Sequence, residues 1–311
     1  MQRRHFVAAC ALPFVAGRVL AADPALRILV GAPPGGGTDL VARAAALELT
    51  GRLRRTITVE NRPGAAGNIA AAQVAKDPDA LLLCYTSHAI NPSLFPSLPF
   101  DPIKDFTPLS LVARSPLLLV ARPDFPASTF PELQALAKKR SVSIGIAGIG
   151  SANHLASEML RKQGGMDLLS VSYKGAVPAL TDAMGGQIDL VLSNVASAQA
   201  LVAGRKLKVL AVSTAQRVAA YPDAAPIADV LSGFDYSSWY GLLGAAAMKP
   251  QDVEAVGAAT AAAVRSDTMR KHLQTEGLEP VGSTPAEFAR FLQQEVERWR
   301  KVVALTGAKV A

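Results

Sequence analysis

The chain has 311 residues, half of them apolar and 18% charged, a balance that excludes a disordered chain and suits two lobes better than one. Setting aside Arg3, Arg4 and Arg18 with the leader described next takes the formal charge from +7 to +4. No long basic run and no interleaving of basic with aromatic residues remains, so nucleic acid is not an expected partner, while a mild attraction for anions is.

Residues 1–22 read as an export signal, which places the mature chain in the periplasm. Met1-Gln2-Arg3-Arg4 is a positive start, Phe6 to Ala16 is apolar apart from Pro13, and Val19-Leu20-Ala21-Ala22 supplies small residues before Asp23. The apolar part is shorter than the roughly 20 residues that a retained spanning helix needs. Arg3-Arg4-His5-Phe6-Val7 resembles a twin-arginine signal, and an ordinary secretory leader with two arginines fits equally. Val7-Ala8-Ala9-Cys10 looks like a lipobox only superficially, because it has almost no apolar stretch upstream. Cys10 leaves with the leader, so Cys84 alone remains and neither an intrachain disulfide nor a cysteine metal cluster is expected. A small buried thiol suits its apolar run, Leu81-Leu82-Leu83-Cys84-Tyr85.

From Leu26 onward, short β-like runs alternate with helical stretches, the pattern of an α/β fold with largely parallel sheets. Strands are expected at 26–32, 56–60 and 81–86, with helices from Thr38 to Thr50 and from the Arg62–Gly67 turn to Lys76. Pro92 to Pro108 reads as an irregular excursion. The extended run Ser110 to Arg122 crosses into a second lobe. There, helices are expected at 129–139, 151–163, 177–184 and 196–203, and strands at 141–147, 169–173, 188–192 and 207–213. Tyr236 to Leu243 is the return crossing, and two helices close the chain, 250–276 with a break and 285–305. Thr284 and Glu287 form a capping box ahead of an apolar face of Phe288, Leu292, Val296, Trp299 and Val303. Lobe 1 is thus assigned to residues 23–115 and 241–311, and lobe 2 to 116–240.

Two crossings imply a hinge and a cleft, and ligands of open α/β sheets sit beyond the carboxyl ends of the strands. Three glycine turns fall there: Gly35-Gly36-Gly37-Thr38, Gly148-Ile149-Gly150-Ser151 and Tyr173-Lys174-Gly175-Ala176. Glycine admits close backbone approach, and a helix start offers unpaired N–H groups to a carboxylate. The plainer alternative for each is a tight turn with a cap, Thr38 and Ser151 being ordinary N-cap residues. Neither glycine-rich turn is a nucleotide signature, and Ser151 lies in no nucleophile elbow. His88, His154 and His272 have no metal-ligand spacing, so no metal and no cofactor is expected. His88 and His154 are candidates to line the cleft, with a capping or surface role the plainer choice for His154, and His272 reads as solvated. Asp39 either complements a helix start or excludes dianions and accepts an amine or hydroxyl. Asp189 is either structural or cleft-facing.

Several motifs, in order, carry a resemblance. They are Pro34-Gly35-Gly36-Gly37-Thr38-Asp39 with Arg43, Val59-Glu60-Asn61-Arg62-Pro63-Gly64-Ala65-Ala66-Gly67, and Phe100-Asp101-Pro102-Ile103-Lys104-Asp105-Phe106-Thr107-Pro108. Tyr173-Lys174-Gly175, Gly185-Gly186-Gln187-Ile188-Asp189, Ala203-Gly204-Arg205, Arg217 and the Trp239 region continue the series. Together they resemble the substrate-binding proteins of tripartite tricarboxylate transporters, the Bug receptors, over nearly the whole mature chain. The resemblance implies a periplasmic binding protein fold of type II character, with two α/β lobes, a two-strand hinge and a cleft. It also implies a carboxylated solute held by backbone N–H groups, small hydroxyls and waters, with no catalytic residues, and release to a membrane permease. Carried over by residue, the site comprises Gly36, Gly37, Thr38 and Asp39, then Ser87, His88 and Ala89. It continues with Gly148, Gly150 and Ser151, and with Lys174, Gly175, Asp189 and Asn194. Three places depart from the family pattern. Asp79-Ala80 stands where Asp-Gly is common, Pro226-Ile227-Ala228-Asp229 replaces a Pro-Thr and glutamate pattern, and His88 is unexpected at its position.

The expected protein is therefore a monomeric solute receptor, not an enzyme. A ligand-sensing receptor needs the same closing cleft and stays open as an alternative. An exported hydrolase needs a nucleophile–base pair or a metal, and the sequence presents neither.

Overall fold

The computed structural model describes residues 25–148 and 151–308. The leader at 1–22 and Gly150 lie outside them. In chain order the elements are β1 (Leu26–Val30), α1 (Gly37–Leu53), β2 (Ile57–Asn61), α2 (Asn68–Val74), β3 (Ala80–Tyr85), α3 (Ser87–Leu94), β4 (Phe106–Ala121) and α4 (Phe130–Ala137). Then come β5 (Val142–Ile146), α5 (Ala152–Gly164), β6 (Leu168–Ser172), α6 (Ala176–Met184), β7 (Leu190–Asn194), α7 (Val195–Ala203) and β8 (Lys208–Val212). The chain returns through β9 (Ser237–Ala245), α8 (Pro250–Arg265), α9 (Asp267–Thr275), β10 (Glu279–Pro280) and α10 (Pro285–Thr306).

Two lobes share one strand. β4 pairs with β9 from Phe106 to Pro116 and with β7 from Leu117 to Ala121, so the sheet changes partners between Pro116 and Leu117. In lobe 1, β1 lies parallel between β2 and β3; in lobe 2, β5 lies parallel between β6 and β7. Every pairing of β4, and that of β3 with β9, is antiparallel. The sheet is therefore mixed rather than largely parallel, because the strands that join the lobes run against their neighbours.

Those directions fix where the strand ends go. β3 and β7 lie on opposite sides of the β9–β4 pair and run in opposite senses, so their carboxyl ends approach the gap between the lobes from either side. The register agrees: Tyr85 at the end of β3 pairs with Tyr240, Tyr240 with Ala113, and Asn194 at the end of β7 with Leu117. All meet near the middle of β4.

Apolar side chains bury against both faces of each half-sheet. Val41, Ala45 and Leu49 of α1 join Leu81, Leu83 and Leu242 on one face of lobe 1. On the opposite face, Leu82, Ile90, Phe288 and Leu292 belong to a cluster that continues through Leu119 to Leu155 and Leu160 of lobe 2. Leu118, Val191 and Ala179 form a third cluster beneath α6 and α7.

Among the described residues, no helix is long and apolar enough to cross a membrane. The end of the chain forms as its local signals dictate. Ser266 caps α9, breaking the long helix expected at 250–276, and Thr284 and Glu287 make the capping box of α10. One expectation fails locally. Ser87 to Leu94 is a helix despite Pro92, its apolar residues Ala89, Ile90 and Leu94 buried beneath α10.

Candidate ligand-binding cleft

A cleft of about 450 Å³ opens between the lobes. Lobe 1 contributes Gly35, Gly36, Gly37, Leu40 and Val41 and, from α9 onward, His272, Leu273, Glu276 and Leu278. Tyr240, at the expected lobe boundary, joins them because β9 pairs it with Tyr85 of β3. Lobe 2 contributes Val177, Asn194, Ala196 and Ser197, and Ser115 of β4 lies between the two groups.

Helix starts dominate this lining. Gly36 and Asn194 are the N-cap residues of α1 and α7, and Gly175 is that of α6, whose second residue is Val177. None of the three helices has a side-chain cap. Thr129, Ser151, Ser266 and Thr284 cap α4, α5, α9 and α10 through their own hydroxyls, while α2, α3 and α8, which start away from the cleft, also lack a side-chain cap. An uncapped helix start keeps free N–H groups and a partial positive charge, the chemistry that receives an anion.

The first glycine turn is held by Asp39. Its carboxylate accepts from the Gly35 amide and from Arg43 Nε, each at 2.9 Å, and from Asn61 Nδ2 at 3.0 Å. Asn61 Nδ2 also reaches the Ala32 carbonyl at 3.1 Å, tying the end of β2 to the turn. Asp39 is buried and does not line the cleft. Burial works against its charge, but the three hydrogen bonds outweigh that and lower its pKa. Gly37 has a steric reason: a Cβ there would come within 3.0 Å of the Tyr240 hydroxyl. Burial pushes the Tyr240 phenol up to about 12, so it stays protonated and available as a donor.

The structure sorts the residues chosen from sequence. Gly36, Gly37 and Asn194 line the cleft together. Thr38 and Asp39 are buried just behind, in the first turn of α1. Gly148, Ser151, Lys174 and Gly175 stand in the turns that follow β5 and β6, and the Ser151 hydroxyl accepts from the His154 amide as the cap of α5.

Two groups are placed elsewhere. Asp189 precedes β7, at the end opposite Asn194 and about 16 Å from it along the strand. Its carboxylate accepts from Arg122 Nε at 3.3 Å and from the Ser143 amide at 3.1 Å, locking the outer edge of lobe 2. Ser87, His88 and Ala89 open α3 and do not line the cleft. Ala89 is in the core, and the His88 ring stacks on Phe100 at 5.9 Å with Phe106 edge-on at 4.9 Å. His88 Nε2 donates to the Pro102 carbonyl at 3.0 Å, and burial lowers its pKa to about 4.

Ser115, Tyr240, Ser197, His272 and Glu276 line the cleft as well, outside the set that the motifs suggest. Ser115 offers one faint signal in the sequence, a small hydroxyl just before the apolar run 116–121 of the crossing strand. His272 and Glu276 offer none, because only the fold of lobe 1 brings α9 to the cleft. No group of three or more His, Cys, Asp or Glu that could hold a metal occurs among the described residues.

A sequence profile of TctC, the tripartite tricarboxylate transporter family receptor, matches residues 41–307. The chain belongs to this family. Protein BugT of Bordetella pertussis is 30% identical over 293 residues, covering 92% of this chain and 90% of its own. An R. palustris protein solved with adipate superposes with a TM-score of 0.81 at 29% identity, covering 93% of this chain and 99% of that one. MatC of Rhodopseudomonas palustris, solved with bound malate, gives 0.75 at 28% identity, with 90% and 99% covered. The family assignment and the two-lobed fold expected from the ordered motifs both hold.

Proposed function

We propose that this chain is a periplasmic solute-binding protein that captures a small carboxylate-bearing solute and hands it to a transporter of the tripartite tricarboxylate type. The observation that carries this reading is the convergence of α1, α6 and α7 on one cleft, from both lobes, with no side-chain caps of their own. Each such start stabilises an anion by roughly 0.3–1 kcal/mol when exposed and about 2 kcal/mol when partly buried. A carboxylate reaching starts on both lobes favours the state in which they approach, so capture and closure are one equilibrium. The family relatives solved with malate and adipate support the ligand class. Export through the leader at 1–22 brings the protein to the compartment where such a receptor works. The cycle is binding and release, without turnover.

Calorimetry on the mature chain with acetate, malate, adipate, citrate and glutamate tests this. At least one acid binds, and Gly36→Trp abolishes that binding while thermal unfolding stays cooperative. Gly36 suits the test because its φ is −82° and a Cβ there meets nothing closer than the Pro33 carbonyl at 3.7 Å. A folded protein that binds none of these acids defeats the proposal.

A further inference from the structure

The cleft is uneven in its hydrogen-bonding character. On the lobe 1 side, donors come from the start of α1 at Gly36 and Gly37 and from the Tyr240 phenol. Around the start of α7, where Asn194 is the N-cap and Gly277 packs on Val195 and Ala196, stand three oxygen groups without partners. Ser115 Oγ and Asn194 Oδ1 are buried and unbonded, and Ser115 as a whole is 0% exposed. The Glu276 carboxylate makes no hydrogen bond or ion pair among the described residues. The serine hydroxyl can donate or accept, Asn194 Oδ1 accepts while its Nδ2 donates, and the ionised Glu276 carboxylate only accepts. No lysine or arginine lines the cleft; Lys174 is exposed on the turn before Val177 and lies outside the lining.

We infer that this cleft selects a monocarboxylate bearing a hydrogen-bond donor at its far end, such as an ammonium or primary amide, over the dicarboxylate of equal length, with Glu276 as the discriminating group. The inference rests on the solute-receptor reading above. One carboxylate satisfies the free amides of the helix starts. A second carboxylate brought near Glu276 meets a like charge with no lysine or arginine in the lining to offset it, His272 being the one lining side chain that can become cationic. At the effective dielectric of a partly hydrated site, a like charge a few ångström away costs about tenfold or more in affinity. An ammonium or amide in the same place finds acceptors in Glu276 and Asn194 that nothing else satisfies. Asp39, the acid that the sequence offers for this task, is already engaged by Gly35, by Arg43 of α1 and by Asn61 of β2.

The test is calorimetry at pH 8, where a histidine is ordinarily neutral, on the mature chain and on Glu276→Gln. Three matched pairs serve as probes: succinate with succinamate, glutarate with 4-aminobutyrate, and adipate with 5-aminovalerate. In at least one pair the donor-bearing acid binds about tenfold tighter, and Glu276→Gln shrinks that ratio by about fivefold or more, mainly by tightening the dicarboxylate. Thermal unfolding of Glu276→Gln matches the parent, because the carboxylate has no partner to lose. Tighter dicarboxylate binding in every pair, or a ratio unmoved by Glu276→Gln, overturns this inference and leaves the receptor reading standing. Absence of binding by all six probes overturns this inference, and the receptor reading falls with it only if acetate, malate, citrate and glutamate also fail to bind.

Discussion

The Asp39 carboxylate accepts from a backbone amide, a guanidinium and a side-chain amide, and its lowered pKa makes it a stabilising anion rather than a ligand group. That stabilisation is present above the ordinary carboxylate range and is lost as pH falls through it toward the lower folded value. His88 has the same sign of dependence from the opposite chemistry. Its ring is held neutral between Phe100 and Phe106 with a folded pKa of about 4, against about 6.5 when unfolded. Between those values the unfolded chain binds the extra proton, so stability falls as pH drops from 6.5 toward 4. The linkage amounts to about 2 kcal/mol between pH 7 and pH 5. We expect the thermal midpoint of the parent to fall over that interval and that of His88→Phe to fall markedly less. Parallel pH curves for the two proteins would show that His88 does not drive the loss.

α10 secures the hinge from behind. Glu295 is buried on this helix, and its carboxylate accepts from Trp239 Nε1 of β9 at 2.8 Å and from Trp299 Nε1 at 3.0 Å, with Arg298 at 3.0 Å on its other oxygen. Two indole donors thereby depend on one side chain, and both lie out of water. Phe291 adds an edge-on contact with Trp239 and receives the Arg114 guanidinium at 4.8 Å from its ring centroid. Stranding a buried donor costs about 1–3 kcal/mol. Glu295→Ala should therefore lose about 3 kcal/mol in urea unfolding, and Glu295→Gln, which keeps a carbonyl acceptor, distinctly less. Equal losses would mean that volume rather than hydrogen bonding sets the cost.

Across the whole molecule, the lobes touch where the end of α9 meets the start of α7. Gln199 Nε2 donates to the Thr275 carbonyl at 3.3 Å. Gly277 has φ +65°, and a Cβ there would lie 2.6 Å from Val195 Cγ1 and 2.9 Å from the Ala196 amide nitrogen. Only glycine allows this approach, because a side chain is both strained at that φ and blocked by the opposing backbone. Gly277→Ala should push the lobes apart at this contact. We expect about tenfold weaker binding of whichever acid the parent takes, with a larger radius of gyration in solution scattering. Unchanged affinity and scattering would show that this contact does not limit closure.

What a few neighbouring residues decide is legible in the amino-acid order alone. The alternation of strands and helices, the glycine turns, the caps at Thr129, Ser151 and Thr284 and the apolar face of α10 all arise within one or two turns of chain. α3 escapes because a proline-rich stretch carries little helical signal, and burial of Ala89, Ile90 and Leu94 beneath α10 decides its state instead. Long-range pairing decides the rest. Asp189 and Asn194 bracket one strand, and only the register of β7 on β4 says which of them faces the other lobe. Asn61 must cross from β2 before Asp39 is satisfied and withdrawn from the cleft, and β10 must pair with β4 before α9 can bring Glu276 to the same cleft as Asn194 and Ser115. The local code names the groups available to a ligand, and the direction of β4 through both lobes determines which of them a ligand meets.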